Sequence, residues 1–422
     1  MCILRTLKRV LFLGILFFTI SLLAVDFDID RRKSQYSNNS GYFLVPAPYS
    51  LPGIGEGFLL LGMATNIYGT QTDVIGDIIT GDVSGYGIGV MDYYLIDKHL
   101  KFDIFREGFN KASFQSYSSR GMNSSKDDYI NLELSDMEFT GLRATASFYD
   151  KMLEFYTMAY LSEFKYQNLR DSEGNVILDT STSTLQKHNV YNLGFMLDYT
   201  DDRVDPRIGI RFDSGIDYTP NRDNTSVDYY VSNYNLTGYV PFGRFSTWAF
   251  NYFRSDAHVL NQGETDFNTI SGNLGLDCSL LTNPTEQTQC INVVYNQIAQ
   301  NMYGSATSLG GRLRLRSYPE GRFVGAHTQF YGTEFRWNIT EESTPFDILF
   351  MKDIRSTIQT AFFYEKGSVS DQVSNLGKNE KESYGMGLRM ITGSGLVFRM
   401  DLAGGNEDYE VTFIINYPWE LF

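Results

Sequence analysis

The sequence predicts an all-β fold, a 16-stranded antiparallel transmembrane β-barrel. Three observations predict it. Short segments of strict apolar–polar alternation recur along most of the chain, with charges on the second face. Aromatics are abundant, with 31 Phe and 29 Tyr, although the mean hydropathy is slightly negative. A basic and then apolar leader opens the chain. Strands with one oily and one wet face produce the first two features. After the leader, no stretch approaches the ~18 consecutive apolar residues of a spanning helix. A soluble sandwich would alternate in the same way with its faces reversed. The leader, the number of strands and the aromatic strand ends favour the barrel.

The leader comes first. Arg5, Lys8 and Arg9 precede an apolar run from Val10 to Leu23, and Ala24 is a fitting last residue before cleavage. Residues 1–24 therefore read as a signal peptide rather than a membrane anchor, since the run is short for a span and Asp26, Asp28 and Asp30 end it. Cys2 lies too early for lipid attachment. Residues 25–52 are polar and carry three prolines, and read as a short periplasmic N-terminal segment. The barrel is expected over 53–422.

Sixteen strands are predicted: 53–66, 71–80, 83–96, 98–109, 127–137, 139–149, 152–168, 189–202, 207–219, 226–239, 243–256, 327–340, 354–366, 380–391, 395–403 and 407–417. An even number closes an antiparallel barrel. Tyr191, Leu193, Phe195, Leu197 and Tyr199 share one face, opposite Asn192, Gly194 and Asp198. Ile208, Ile210, Phe212, Ile216 and Tyr218 oppose Arg211, Asp213 and Asp217. Tyr331, Thr333, Phe335, Trp337 and Ile339 oppose Gly332, Glu334, Arg336 and Asn338. The last strand places Tyr409, Val411, Phe413, Ile415 and Tyr417 on one side.

Connections alternate in length. Residues 201–206 form a tight turn, whereas 169–188 and 257–326 are long links. The second far exceeds an ordinary loop, so it is expected to be functional or separately structured, with a short helix over 291–302. Cys278 and Cys290 flank the turn signal Asn283-Pro284. In an oxidising periplasm a small loop disulfide is favoured over two free thiols.

Several of these residues resemble a known family. Gly310-Gly311 followed by Leu315-Arg316-Ser317-Tyr318 resembles the Val-Arg-Gly-Phe/Tyr inward-loop motif of the BamA/TamA superfamily, also called bacterial surface antigens, with Leu for Val and Ser for Gly. Phe363-Tyr364-Glu365-Lys366-Gly367 is similar to its Phe-x-Asp-x-Gly strand motif. Glu334 before Phe335-Arg336 also fits. Asp202 and Arg203 with Pro206 and Gly209 resemble its periplasmic turn. Tyr384-Gly385-Met386-Gly387-Leu388-Arg389 and a terminal Phe422 resemble its closing strands and C-terminal assembly signal. The resemblance spans residues 53–422. It implies a long loop folded into the lumen and pinned by Arg316, Tyr318, Glu334, Glu365 and Gly367. The planar donor fork of Arg316 suits two carboxylates, and without it the two acids would face each other. The chain departs from the family in having neither POTRA domains nor a patatin-like lipase domain before the barrel.

Enzyme chemistry is not expected. His99, His188, His258 and His327 have no evident serine partner, no Gly-x-Ser-x-Gly elbow exists, and no cluster has metal-ligand spacing. Gly85-Tyr86-Gly87-Ile88-Gly89 lies inside a strand, where close strand packing explains it better than a nucleotide does. A net charge of −15 argues against nucleic acid. No cofactor is expected. The partners expected are outer-membrane lipid, the barrel-assembly machinery during the chain's own insertion, and a protein or lipid client, with a second copy of the chain also admissible. The resemblance implies a role in outer-membrane biogenesis in the bacterial outer membrane. The alternative is a passive pore or a structural or surface-binding barrel.

Overall fold

Strands with one oily face close on themselves here instead of stacking. The computed structural model describes residues 30–420 apart from 37–39, 222–225, 342–345, 349–350, 355, 393–395 and 416. The leader and Phe422 lie outside the described residues. The wall consists of β1 (Gly41–Leu51), β2 (Gly55–Thr65), β3 (Asp73–Gly81), β4 (Ser84–Ile96), β5 (Leu100–Tyr117), β6 (Tyr129–Phe148), β7 (Leu153–Arg170), β8 (Gln186–Thr200), β9 (Gly209–Thr219), β10 (Asp228–Phe242), β11 (Ser246–Asn261), β12 (His327–Asn338), β13 (Ser356–Ser370), β14 (Lys381–Thr392), β15 (Val397–Gly405) and β16 (Tyr409–Ile415). Each pairs antiparallel with its chain neighbour, and β16 returns to β1 to close a 16-stranded barrel.

The faces are inverted relative to a water-soluble protein. On β8, Leu193 is 67% exposed, whereas Asn192 and Asp198 are buried. On β12, Tyr331 and Trp337 are exposed, whereas Glu334, Arg336 and Asn338 are buried. Burying charges while leaving large apolar groups outside is unfavourable in water and favourable in a bilayer.

Three expectations need correction. First, β1 lies in a stretch assigned to the N-terminal segment, because Pro46 and Pro48 read as strand breakers. Proline is tolerated at a sheet edge, and this strand is one side of the seam. Second, the predicted strands 127–137 and 139–149 are one strand, β6, and β5 runs on to Tyr117. Asn110 and Asp136 fall out of the β5–β6 ladder together, the register shifts there against β4 and β7 instead, and Asp136 takes φ 50°. This bulge resets the alternation without ending either strand. One strand missed and one split leave the count at sixteen. Third, β16 stops at Ile415, and Tyr417 is buried inside rather than facing outward.

The start of β1 and the end of β16 lie at one rim with most of the short turns and the 339–355 link, and the 171–185 and 262–326 links lie at the other. The connection between β11 and β12 carries α1 (Phe267–Leu274) and α2 (Pro284–Tyr303). The Asn-Pro pair starts a helix: the Asn283 side chain accepts from the Thr285 N–H and Pro284 sits in the first turn. A Cys278–Cys290 disulfide ties the segment after α1 to α2. Ile270, Leu274, Val293 and Val294 pack with Ile130 and Leu169 from the ends of β6 and β7 to form a cap.

Candidate functional site

The site is built from the far half of the long connection, which descends into the lumen. Leu309 pairs with Phe323 at its base. The tip turns tightly, with the Tyr318 N–H donating to Leu315 O and the Gly311 N–H to Tyr318 O. Leu309, Leu315, Tyr318 and Phe323 are fully buried against Phe253 and Phe330 of the wall.

Arg316 ends among three carboxylates. Its Nε donates to Glu365 Oε1 at 2.9 Å, Nη2 to Glu334 Oε2 at 3.2 Å and Nη1 to Asp401 Oδ2 at 2.9 Å. Its backbone N–H donates to Glu365 Oε2 at 3.0 Å. All four side chains are fully buried. The guanidinium plane lies 3.4 Å from the Phe363 ring centroid. Arg336 and Arg389 also pair with Glu334, and Arg399 with Asp401. Removing one member of such a network leaves an uncompensated buried charge, which costs roughly 3–5 kcal/mol.

The other predicted residues divide between two places. The Tyr318 hydroxyl donates to Glu382 O at 3.0 Å. Gly367 leaves room for the loop, since a Cβ there would stand 2.5 Å from Leu309 Cδ1. Asp202, Arg203, Pro206 and Gly209 lie instead at the short-turn rim. Asp202 Oδ1 accepts the Val204 and Asp205 N–H groups, and Arg203 pairs with Glu154 at 2.7 Å. Gly209 takes φ +117°, and a Cβ would strike Tyr199 O. Among the histidines, His327 pairs with Asp256 and His258 stacks on Tyr230. Gly85 and Gly87 sit where strands approach closely. No group of three or more potential metal ligands occurs among the described residues.

Sequence reasoning missed Asp401 and Trp419. Asp401 had a signal, since it alternates with Met400 and Leu402 on β15 and so faces the lumen. Beyond β16 the chain turns inward and buries Trp419, which is 2% exposed. Its indole N–H donates to Glu365 Oε1 at 2.9 Å, the same oxygen that Arg316 holds. Its carbonyl accepts from Asn235 and Arg314. Loop and tail are therefore locked by one carboxylate.

The seam beside this lock is thinly paired. β1 matches β2 at every residue, but among the described residues it meets β16 only at Ser50 and Phe413. Leu51 O accepts the Ile54 N–H across the turn into β2. The odd-numbered backbone groups of β1 thus face β2, and the even-numbered ones face β16. Pro46 and Pro48, which have no N–H, fall on the seam side. Below them, a hairpin of Phe346–Ile348 and Met351–Ile354 pairs with Tyr42 and Phe43.

The fold has a solved counterpart. CdiB from Escherichia coli superposes with a TM-score of 0.51 at 11% identity, over 89% of this chain and 62% of that one. The chain has the fold of the CdiB barrel. CdiB from Acinetobacter baumannii (TM-score 0.47, 12% identity, 89% of this chain and 60% of that one) and BamA from Haemophilus ducreyi lacking POTRA domains 1–3 (0.44, 12%, 89% and 68%) also match. This chain spans about three-fifths of the length of the CdiB chains it matches. No family model matches the sequence, and no curated protein matches it.

Proposed function

We propose that this chain is a bacterial outer-membrane barrel of the BamA/TamA superfamily that acts in envelope biogenesis, inserting or translocating protein or lipid. The observation that carries the reading is the seam: one backbone pairing between β1 and β16 among the described residues, two prolines on the facing edge, and a buried loop pinned inside the same barrel. Breaking one ladder position costs little, about 0.5–1.5 kcal/mol per hydrogen bond. The wall therefore opens here before it opens elsewhere, and exposes a strand edge and a path for an amphipathic client. The outward Leu, Tyr, Phe and Trp side chains support placement in a bilayer.

Depletion of the protein followed by an inventory of outer-membrane proteins and lipids tests this. Selective loss of one class of barrel or lipid is the expected result. An unchanged inventory, together with steady conductance in planar bilayers that rises when 257–326 is deleted, would establish a passive pore instead.

A further inference from the structure

The short-turn rim holds a ligand contributed by the chain itself. Before β1, Arg31, Arg32 and Lys33 lie on the turn between β8 and β9. Arg31 donates to Thr200 O at 2.8 Å and approaches Asp198 and Asp150 at 3.9 Å each. The Arg32 backbone N–H donates to Asp201 O at 2.8 Å, as a bound peptide would. Its guanidinium donates to Asp205 O at 2.7 Å and pairs with Asp201, Asp202 and Asp205. Lys33 reaches Asp202 at 3.4 Å. Gln35 accepts the Arg203 N–H at 3.0 Å.

Two more described residues before β1 bond to turns of the same rim. Tyr36 donates to Lys98 O in the turn between β4 and β5, and its ring lies under Lys98 and Lys151. Burial, reinforced by Asp150, pushes its phenol up to about 12, so it stays a donor at neutral pH. Ser40 Oγ donates to Asn66 O in the turn between β2 and β3, and β1 begins at the next residue.

Two facts make the turn a site rather than a chance cluster of acids. The carboxylates of Asp198 and Asp202 are fully buried, and Asp205 is nearly so. Among the described residues, the ion-pair partners of Asp201 and Asp202 are Arg32 and Lys33 alone. Asp198 and Asp205 also pair with Arg211 and Arg207 of the barrel, and the Oδ1 atoms of Asp201 and Asp202 accept turn N–H groups. The buried Oδ2 of Asp202 has no hydrogen bond and, among the described residues, faces only the Arg32 and Lys33 cations.

We infer that this acidic rim is a binding site for a basic peptide segment, and that Arg31–Gln35 is its ligand in cis, tethering the seam strand β1 to the opposite side of the barrel. The inference goes beyond the biogenesis reading and rests on no part of it. β1 is paired to β2 throughout and to β16 at one position among the described residues, so this strap adds a hold on the start of β1 that the seam itself does not supply. A basic segment of a partner that competes for the rim would release β1.

The test uses the full chain in lipid nanodiscs, with Ser50→Cys and Phe413→Cys introduced as a reporter across the seam. Disulfide yield reports closure and needs no client. Barrel integrity is read separately from heat-modifiable migration. Arg31→Gln/Arg32→Gln/Lys33→Gln is expected to lower the yield at least threefold while the barrel stays folded. Added peptide of sequence Asp30–Tyr36, which competes for the rim without being joined to β1, is expected to lower the yield of the chain with its native strap. Raising salt from 0.1 to 1 M on the chain with its native strap needs no strap variant. It should also lower the yield, because the Arg32 and Lys33 side chains are about a quarter exposed and open to screening. Yields unchanged by both the triple substitution and salt would overturn the inference. So would an unchanged yield when the peptide is added to the chain with its native strap.

Discussion

Charge placement inside the lumen gives the sharpest expectations for single residues. Arg316→Glu sets a fourth acid among Glu334, Glu365 and Asp401, which share no space with water. Limited proteolysis of the intact barrel should then cut within 305–323, and Glu365→Arg in the same chain should partly restore protection. Protection unchanged by Arg316→Glu would remove the pinning role. Gly332 offers a steric counterpart. A Cβ there would lie 2.7 Å from the Trp419 indole, so Gly332→Val should expel the indole, cost about 1.5–3 kcal/mol through the lost bond to a carboxylate, and expose the tail to carboxypeptidase. The arginine and two of its acids were readable from the sequence, because a fixed motif order places them on neighbouring strands. Trp419 was not, because an aromatic near a strand end is equally suited to the bilayer interface, and only the inward turn after Ile415 assigns it to the lumen.

At the scale of elements, periodicity located most of the wall and failed where backbone irregularity intervenes. The paired bulge at Asn110 and Asp136 shifts the side-chain alternation by one, which looks like a strand end in a sequence. The prolines of β1 look like a loop until the seam shows that their missing donors have no ladder to break. Restoring those donors is informative. Pro46→Val with Pro48→Val should lengthen the β1–β16 ladder, raise the thermal midpoint, and add about 1 kcal/mol per bond formed. An unchanged or lower midpoint would mean that the prolines do not limit the seam. The cap makes an independent prediction. Cys278→Ser/Cys290→Ser removes a crosslink closing a short loop, worth about 3 kcal/mol. Proteolysis within 262–303 should rise while heat-modifiable migration of the barrel stays unchanged, since the helices pack on the strand ends and not within the wall.

For the whole molecule, the inverted distribution of side chains is decisive. The mature chain should be monodisperse in detergent or nanodiscs and should aggregate when detergent is diluted away. Monodispersity in plain buffer, read by light scattering, would contradict the barrel's outward face. The fold class was legible at this scale because sixteen two-faced strands leave few ways to bury both faces. The filled interior was legible only in part, since a long connection announces itself by length but not by the direction it takes.

The carboxylate of Glu365 that serves both Arg316 and Trp419 also separates the wall from its bolt. Trp419 lies beyond every wall strand and contributes to none of them, so a chain ended just before it would have a finished wall around an unbolted core.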